Sequence, residues 1–338
     1  MTPLVVVDAD VLGRKRTGDE TYVENLLRAL PAEAKGELTL AAITRRPDLV
    51  PRGVDAIELP ARVQELRMAW SLPRLLHRLR PALVHFQHAL PLACPAPAVV
   101  TIHDLSFERS AQAMPRRDRL VFRAAVPRAV RRAAHVLAVS ERTKRDVVEL
   151  YGVAPERVTV TPHGVDPAFT PDGKRPGDYL LFVGAIQARK HPLAASEAAE
   201  EVGLPLVVAG PLKERRLARE LARRGADLRG YVSKPELAEL YRGAACLVLP
   251  SHYEGFGLPL LEAMACGTPV VAGPDAALRE VGGDAALYAA PAELPGAIRR
   301  ALAERGRLAA AGLDRARMFT WEQTARRTLA VYRRVLNL

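Results

Sequence analysis

The chain has 338 residues, 49% apolar and 26% charged, with a mean hydropathy of −0.02, which excludes a disordered or collagen-like polymer. Its formal net charge of +11 would suit nucleic acid or an anionic membrane, but 5% aromatic residues are few for stacking on exposed bases. The excess is spread evenly, +6 in residues 1–170 and +5 in the rest, so there is neither a basic tail nor an acidic counter-domain.

Short β-branched runs alternate with helical patterns along the chain. In order, strands are predicted at 4–10, 38–44, 82–86, 98–104, 135–140 and 158–164, with helices at 20–30, 116–134 and 141–151. Further strands are predicted at 179–185, 204–210, 227–232 and 245–251, with helices at 192–202, 213–225, 235–243 and 257–266. Such alternation predicts an α/β protein with parallel sheets covered on both faces. Ten or more strands are too many for one ordinary open sheet, and the Pro- and Gly-rich segment 166–179 reads as a linker. The expected organisation is a Rossmann-like domain over 1–168, a second over 169–318, and a terminal helix over 319–338. Thr320 is a possible N-cap for that helix, whose Trp321, Leu329, Val331, Tyr332 and Val335 need a surface to cover.

Cys94, Cys246 and Cys266 are odd in number and lack CxxC spacing, so buried thiols in a reducing compartment are expected rather than a disulfide frame or zinc site. The first apolar run meets Asp8 too soon for a signal sequence, and no apolar stretch approaches ~20 residues. A cytoplasmic protein is the expectation, with peripheral contact at the inner membrane face left open. Asp8 and Asp10 end the first strand, where paired acids commonly form turns, and no metal site is expected.

In open α/β sheets, ligands bind beyond the carboxyl ends of strands. The segment 247–271, LVLPSHYEGFGLPLLEAMACGTPVV, places a Gly-punctuated loop after a strand and Pro259 where a first helical turn accepts it. A helix N-terminus of this kind suits phosphate. Glu254 and Glu262 lie eight positions apart in it. Two carboxylates beside an anion site make sense if they bind paired hydroxyls of a sugar, although an isolated Glu at a helix start is more often simply solvated.

The string P-S-x-x-E-G-F-G-L-P-x-L-E-A-M-A-C-G-T-P-V-V resembles the Glu-x7-Glu signature of the retaining glycosyltransferases of family 4, which have the GT-B fold. Segments 14–30, 101–107, 140–167 and 182–193 resemble that family's first glycine loop, His-Asp turn, interdomain segment and Arg-Lys element, in order. The resemblance implies two Rossmann-like domains across a cleft, with the C-terminal helix returning to the N-terminal domain. It further implies a nucleotide diphosphate sugar as co-substrate, GDP- or UDP-linked, bound by the C-terminal domain. The acceptor, a sugar, lipid-linked or small-molecule hydroxyl, goes to the N-terminal domain, with no other cofactor and no nucleic acid.

By the same resemblance, Arg189 and Lys190 stabilise the leaving diphosphate after the strand that ends near Gly184. His103 contacts the transferred sugar, Glu254 holds hexose hydroxyls and Glu262 holds ribose hydroxyls. Gly255, Phe256, Gly257 and Leu258 present backbone amides, and the backbone around Tyr231 and Val232 meets the base. Gly18 lets the first loop approach the phosphates, but Asp19 and Glu20 depart from the family's usual Gly-Ile-Gly. These two acids bind acceptor hydroxyls or cap the helix that starts there.

The reaction implied is metal-independent transfer of a hexose, mannose or glucose favoured, with retention by a front-face route. Rival readings are a phosphorylase or nucleotide-sugar epimerase of the same fold, or a basic membrane- or nucleic-acid-binding protein. Residues 109–145 carry eleven Lys or Arg against two acids. They form either a helix with a solvated basic face or a contact for anionic lipid, with Pro127 expected to bend it.

Overall fold

Most of the inner strands are short runs of Val, Leu, Ile and Ala buried on both faces, as parallel strands under helices must be, while the edge strands Asp55–Glu58 and Asp227–Gly230 are largely exposed. The computed structural model describes residues 2–14, 17–61, 63–109, 114, 116–173 and 177–338. The first seven strands are β1 (Leu4–Asp8), β2 (Thr39–Thr44), β3 (Asp55–Glu58), β4 (Leu83–Gln87), β5 (Ala98–Ile102), β6 (His135–Ala138) and β7 (Val158–Val160). They form one sheet in the order β3-β2-β1-β4-β5-β6-β7 with every pairing parallel. The other six are β8 (Leu180–Val183), β9 (Leu206–Ala209), β10 (Asp227–Gly230), β11 (Cys246–Leu249), β12 (Val270–Ala272) and β13 (Leu287–Tyr288). Their sheet runs β10-β9-β8-β11-β12-β13, also fully parallel.

Each sheet reverses strand order once, between β1 and β4 in the first and between β8 and β11 in the second. That reversal opens a crevice at the carboxyl edge, where doubly wound folds take their ligands. The chain divides into two units. One holds Met1–Glu108, Pro115–Gly164 and Trp321–Leu338, and the other Arg109–Met114 and Val165–Thr320.

The last helix, Trp321–Leu336, belongs to the first unit. Trp321, Ala325, Leu329, Val331 and Tyr332 are buried in a cluster with Val5, Val7, Tyr22, Val23 and Leu26, and Val335 packs beside them. A buried polar chain adds direction to this apolar contact. The Tyr332 hydroxyl lies 2.6 Å from His85 Nδ1, His85 Nε2 lies 2.7 Å from Thr101 Oγ1, and Tyr22 Oη lies 3.0 Å from the same Thr101 oxygen. Thr324 Oγ1 donates to the Pro162 carbonyl at 2.6 Å.

In the segment 166–179 Pro167, Ala168, Pro171, Asp172, Gly173 and Asp178 are exposed. Asp166 and Phe169 are buried, and the Phe169 ring meets Tyr241 edge-on at 5.6 Å. Residues 174–176 of that segment lie outside the described set. The helix Arg116–Arg132 contains Pro127 and buries Val126, Ala129 and Val130, while Leu120 and Val121 are exposed. Residues 110–113 and 115 of the basic segment are not among those described. No described helix is long and apolar enough to cross a membrane.

Replacing Tyr332 with Phe leaves His85 Nδ1 without a partner in a site that excludes water. We expect a loss of ~1–3 kcal/mol. It should appear as a lower urea midpoint for the first unit, with the second unit's transition unchanged.

Candidate active site

The second unit brings its chemistry to the carboxyl ends of β8 and β11, the two strands at its order reversal. After β8 the backbone turns at Gly184 and forms a short 3-10 turn, Ala188–Lys190. Gly184 has φ +147°, and a Cβ there would stand 3.1 Å from both Cδ and Nζ of Lys190. Glycine at 184 therefore supplies both the backbone angle and the room for the lysine chain.

Lys190 Nζ donates to Glu254 Oε1 at 2.8 Å, and Arg189 Nη1 lies 3.9 Å from Glu254 Oε2. Arg189 Nη1 also donates to the Tyr253 carbonyl at 2.9 Å, while the His252 N–H returns to the Arg189 carbonyl at 3.1 Å. The turn after β8 and the loop after β11 are thus tied by side chain and backbone. Burial pushes the Glu254 carboxyl up, but the Lys190 and Arg189 cations outweigh it and hold the group below the usual glutamate value. Arg189 Nε is buried with no partner among the described residues.

The helix Leu258–Ala265 follows, with Pro259 in its first turn and Gly257 as N-cap at φ +105°. A side chain at 257 would bring a Cβ 2.6 Å from Leu278 Cδ2, so only glycine lets the helix start here against its neighbour. Glu262 is buried in this helix and accepts a hydrogen bond from the Tyr241 hydroxyl at 2.8 Å. Burial raises its pKa to about 7 despite that bond; nearby Asp166 adds to the rise and Lys234 opposes it. Asp166 is itself held by Lys234 Nζ at 2.6 Å.

Of the remaining expected donor residues, Phe256 is buried with its ring 6.0 Å from Phe319, Gly255 and Gly257 lie in the same loop, and Leu258 opens the helix. Tyr231 is exposed and Val232 half-buried, just before Ser233 caps the helix Lys234–Gly243. The structure thus gathers Gly184, Arg189, Lys190 and Glu254 tightly. Glu262 sits one helix turn and more along, and Tyr231 and Val232 follow β10.

In the first unit, His103 follows β5 and is buried. Its Nε2 lies 3.0 Å from Gln87 Oε1, and Tyr22 packs edge-on against its ring at 4.8 Å. Burial lowers its pKa to about 4, with His88 adding to the effect against Asp19 and Asp104. Gly18 departs from its expected place in a loop. It lies in the first turn of the helix Thr17–Ala34, with open space where a Cβ would be. Lys15 and Arg16 just before that helix lie outside the described residues. Glu20 accepts the Gly13 N–H at 2.7 Å and so holds the preceding loop.

Asp8 and Asp10 serve as anchors for arginines. Asp8 receives two bonds from the fully buried Arg67, at 3.1 and 2.5 Å. Asp10 receives Arg45 Nε at 2.8 Å and pairs with Arg14. Arg67, Tyr241 and Tyr22 carried no sequence signal. Each meets its partner across a long stretch of chain, where no local pattern announces it.

Residues 16–169 match the family model Glycosyltransferase Family 4, and residues 171–311 match Glycosyl transferases group 1. Together with the two parallel sheets, these matches define a glycosyltransferase of the GT-B fold. Within that class the chain belongs to glycosyltransferase family 4, one model following the other along nearly the whole sequence.

Among curated relatives, an O-antigen chain mannosyltransferase B of Escherichia coli is 28% identical over 268 residues, 70% of each chain. A D-inositol 3-phosphate glycosyltransferase of Frankia alni is 35% identical over 243 residues, 61% of this chain and 60% of that one. The chain spans 51% of a like-named protein of Acidothermus cellulolyticus. Among solved structures, sucrose-phosphate synthase of Thermosynechococcus elongatus superposes with a TM-score of 0.78 at 21% identity, covering 100% of both chains. An Anabaena protein solved with UDP and glucose gives 0.73 at 16% identity, covering 98% of this chain and 99% of that one. These likenesses share the fold.

The buried pair makes a stability prediction. Lys190→Met should cost the second unit ~3–5 kcal/mol, because a carboxylate is left buried without its closest partner. Adding Glu254→Gln should restore at least half of that loss, read from urea midpoints. A double variant no more stable than the single would contradict the pairing.

Proposed function

We propose that the chain transfers a hexose, mannose or glucose, from a nucleotide diphosphate sugar to a hydroxyl acceptor, with retention and with no metal in the transfer step. The observation that carries this reading is the unpartnered, buried Nε of Arg189 beside Lys190, at the carboxyl edge where the strand order reverses. A buried donor without an acceptor costs free energy unless a ligand completes it. An anion does so here, and a diphosphate is the leaving group that needs it. The similarity to a mannosyltransferase of Escherichia coli and the fold shared with a protein solved with UDP and glucose support the choice of sugar.

Glu254 pairs with Lys190 and Arg189. When the donor binds, its phosphates take over those cations and Glu254 turns to hexose hydroxyls. As the bond from the anomeric carbon to the phosphate oxygen breaks, charge grows on the diphosphate and the two fixed cations stabilise it. The acceptor oxygen attacks from the same face, and its proton passes to the departing phosphate oxygen. Loss of one such cation typically lowers the rate ~10²–10³-fold. His103, buried and neutral at physiological pH, is the group we assign to the transferred sugar.

Glu262 would hold the ribose diol, which requires the carboxylate form to accept two hydroxyl protons. With its pKa near 7 in the free protein, binding should expel a proton. The sign follows: donor affinity weakens as pH falls below 7, where the acid form dominates.

Titration calorimetry with GDP-mannose and UDP-glucose at pH 7, in buffers of different ionisation enthalpy, tests the reading. One of them should bind with release of up to about half a proton. Glu262→Gln should weaken binding and abolish the release. Failure of a full nucleotide-sugar panel to bind would overturn the proposal.

A further inference from the structure

We propose that the first unit carries a binding site for a divalent transition-metal cation, zinc foremost, formed by Asp19, His88 and His103. This goes beyond the transfer reaction and departs from the expectation that the chain holds no metal site.

Topology brings the three residues together. Asp19 lies in the first turn of the helix after β1, His88 directly follows β4, and His103 directly follows β5. These three strands are neighbours in one parallel sheet, so all three residues emerge on its carboxyl edge. One ligand atom from each lies within 4.8 Å of the other two. Zinc–nitrogen bonds of about 2.0–2.1 Å at a tetrahedral angle set donor atoms ~3.4 Å apart. Side-chain rotations that draw the groups inward by ~1.4 Å would therefore close the shell around an ion.

His88 supplies the second observation. Its Nδ1 is buried and has no hydrogen-bond partner among the described residues. Its backbone adopts φ +58°, a left-handed conformation uncommon for a residue with a side chain. The His88 N–H donates to the Thr101 carbonyl at 2.9 Å, which fixes it two residues from His103. The His103 ring lies 5.2 Å from the His88 ring. A left-handed backbone and a buried ring nitrogen without a partner among the described residues together hold this imidazole beside that of His103.

His103 shows the outer contact that ligating histidines usually have. Its Nε2 faces Gln87 Oε1 at 3.0 Å, so the ring can donate there and keep its other nitrogen for a metal. Two imidazoles and one carboxylate suit zinc, cobalt or nickel better than magnesium or calcium. Three protein ligands leave a position for water. Asp19 and His88 are half-buried, which leaves the ion a way in. A metal held there would exclude the contact with the transferred sugar assigned to His103. That consequence rests on the function proposed above, whereas metal binding itself does not.

The test is titration calorimetry of the chelator-stripped full chain with zinc chloride, backed by the visible absorption of bound Co²⁺. One zinc per chain is expected. Asp19→Asn and His88→Ala should each lower the affinity at least tenfold, while circular dichroism and the metal-free unfolding midpoint show that each variant is folded. His77→Gln, on an exposed helix face, should bind as the parent does. So should His252→Gln, although its ring lies 6.1 Å from that of His191 in the second unit. Unchanged affinity in both Asp19→Asn and His88→Ala, or loss of binding in His252→Gln, would overturn the proposal.

Discussion

A buried carboxylate cannot stand alone, and Glu254 organises the second unit around that constraint. It follows β11, whereas its partners Arg189 and Lys190 follow β8, so the ion pair bridges the two strands between which the sheet changes direction. The backbone bond from His252 to Arg189 and the bond from Arg189 to the Tyr253 carbonyl hold the same two segments. Gly184 is needed because Lys190 must pass where a side chain would otherwise be. The charges are arranged so that Glu254 offsets both cations while one donor, Arg189 Nε, has no partner among the described residues. In the proposed reaction an anion entering this edge would meet cations already positioned, and the displaced carboxylate would remain beside it as an acceptor for hydroxyls.

The first unit solves a different problem at the same kind of edge. Its sheet end is lined with rings: Tyr22, His88, His103, His163 and Trp321 pack within about 6 Å of one another in succession. Burial keeps His85, His103 and His163 uncharged at neutral pH, since each is pushed well below the ordinary histidine value. The last helix of the chain closes this region through Trp321 and Tyr332. Sequence distance is therefore no guide to what stabilises His103, whose surroundings come from both ends of the chain.

How much was legible in the sequence depended on range. Most of the buried strands announced themselves because parallel strands need unbroken apolar runs, although the buried three-residue β12 was not predicted, and helices such as Glu141–Tyr151 and Pro192–Val202 were bounded by Ser140, Gly152 and Gly203. The edge strand Asp55–Glu58 was silent, since it is largely exposed and carries acids at both ends. The two-residue β13 and the Ala- and Arg-rich helix Arg305–Ala316 gave too little periodicity to register. Arg189, Lys190, Glu254 and Glu262 could be named from one contiguous motif and one dipeptide. Their pairing could not, because the partners lie 64 positions apart and Tyr241 reaches Glu262 from another helix. Asp8 and Asp10 were visible as a pair of acids, but Arg67, which explains them, was not. The net charge was the least informative feature: the share of it to which a function is proposed is two cations at one strand end.

The central claim is that these cations serve transfer of a sugar from a nucleotide diphosphate with its anomeric configuration kept. Proton NMR of the reaction with the donor that binds, followed at the anomeric position of the first product, measures this directly. The account predicts a product with the donor's configuration, and none formed at a comparable rate by Arg189→Ala. A product of inverted configuration, or full activity in that variant, would contradict it.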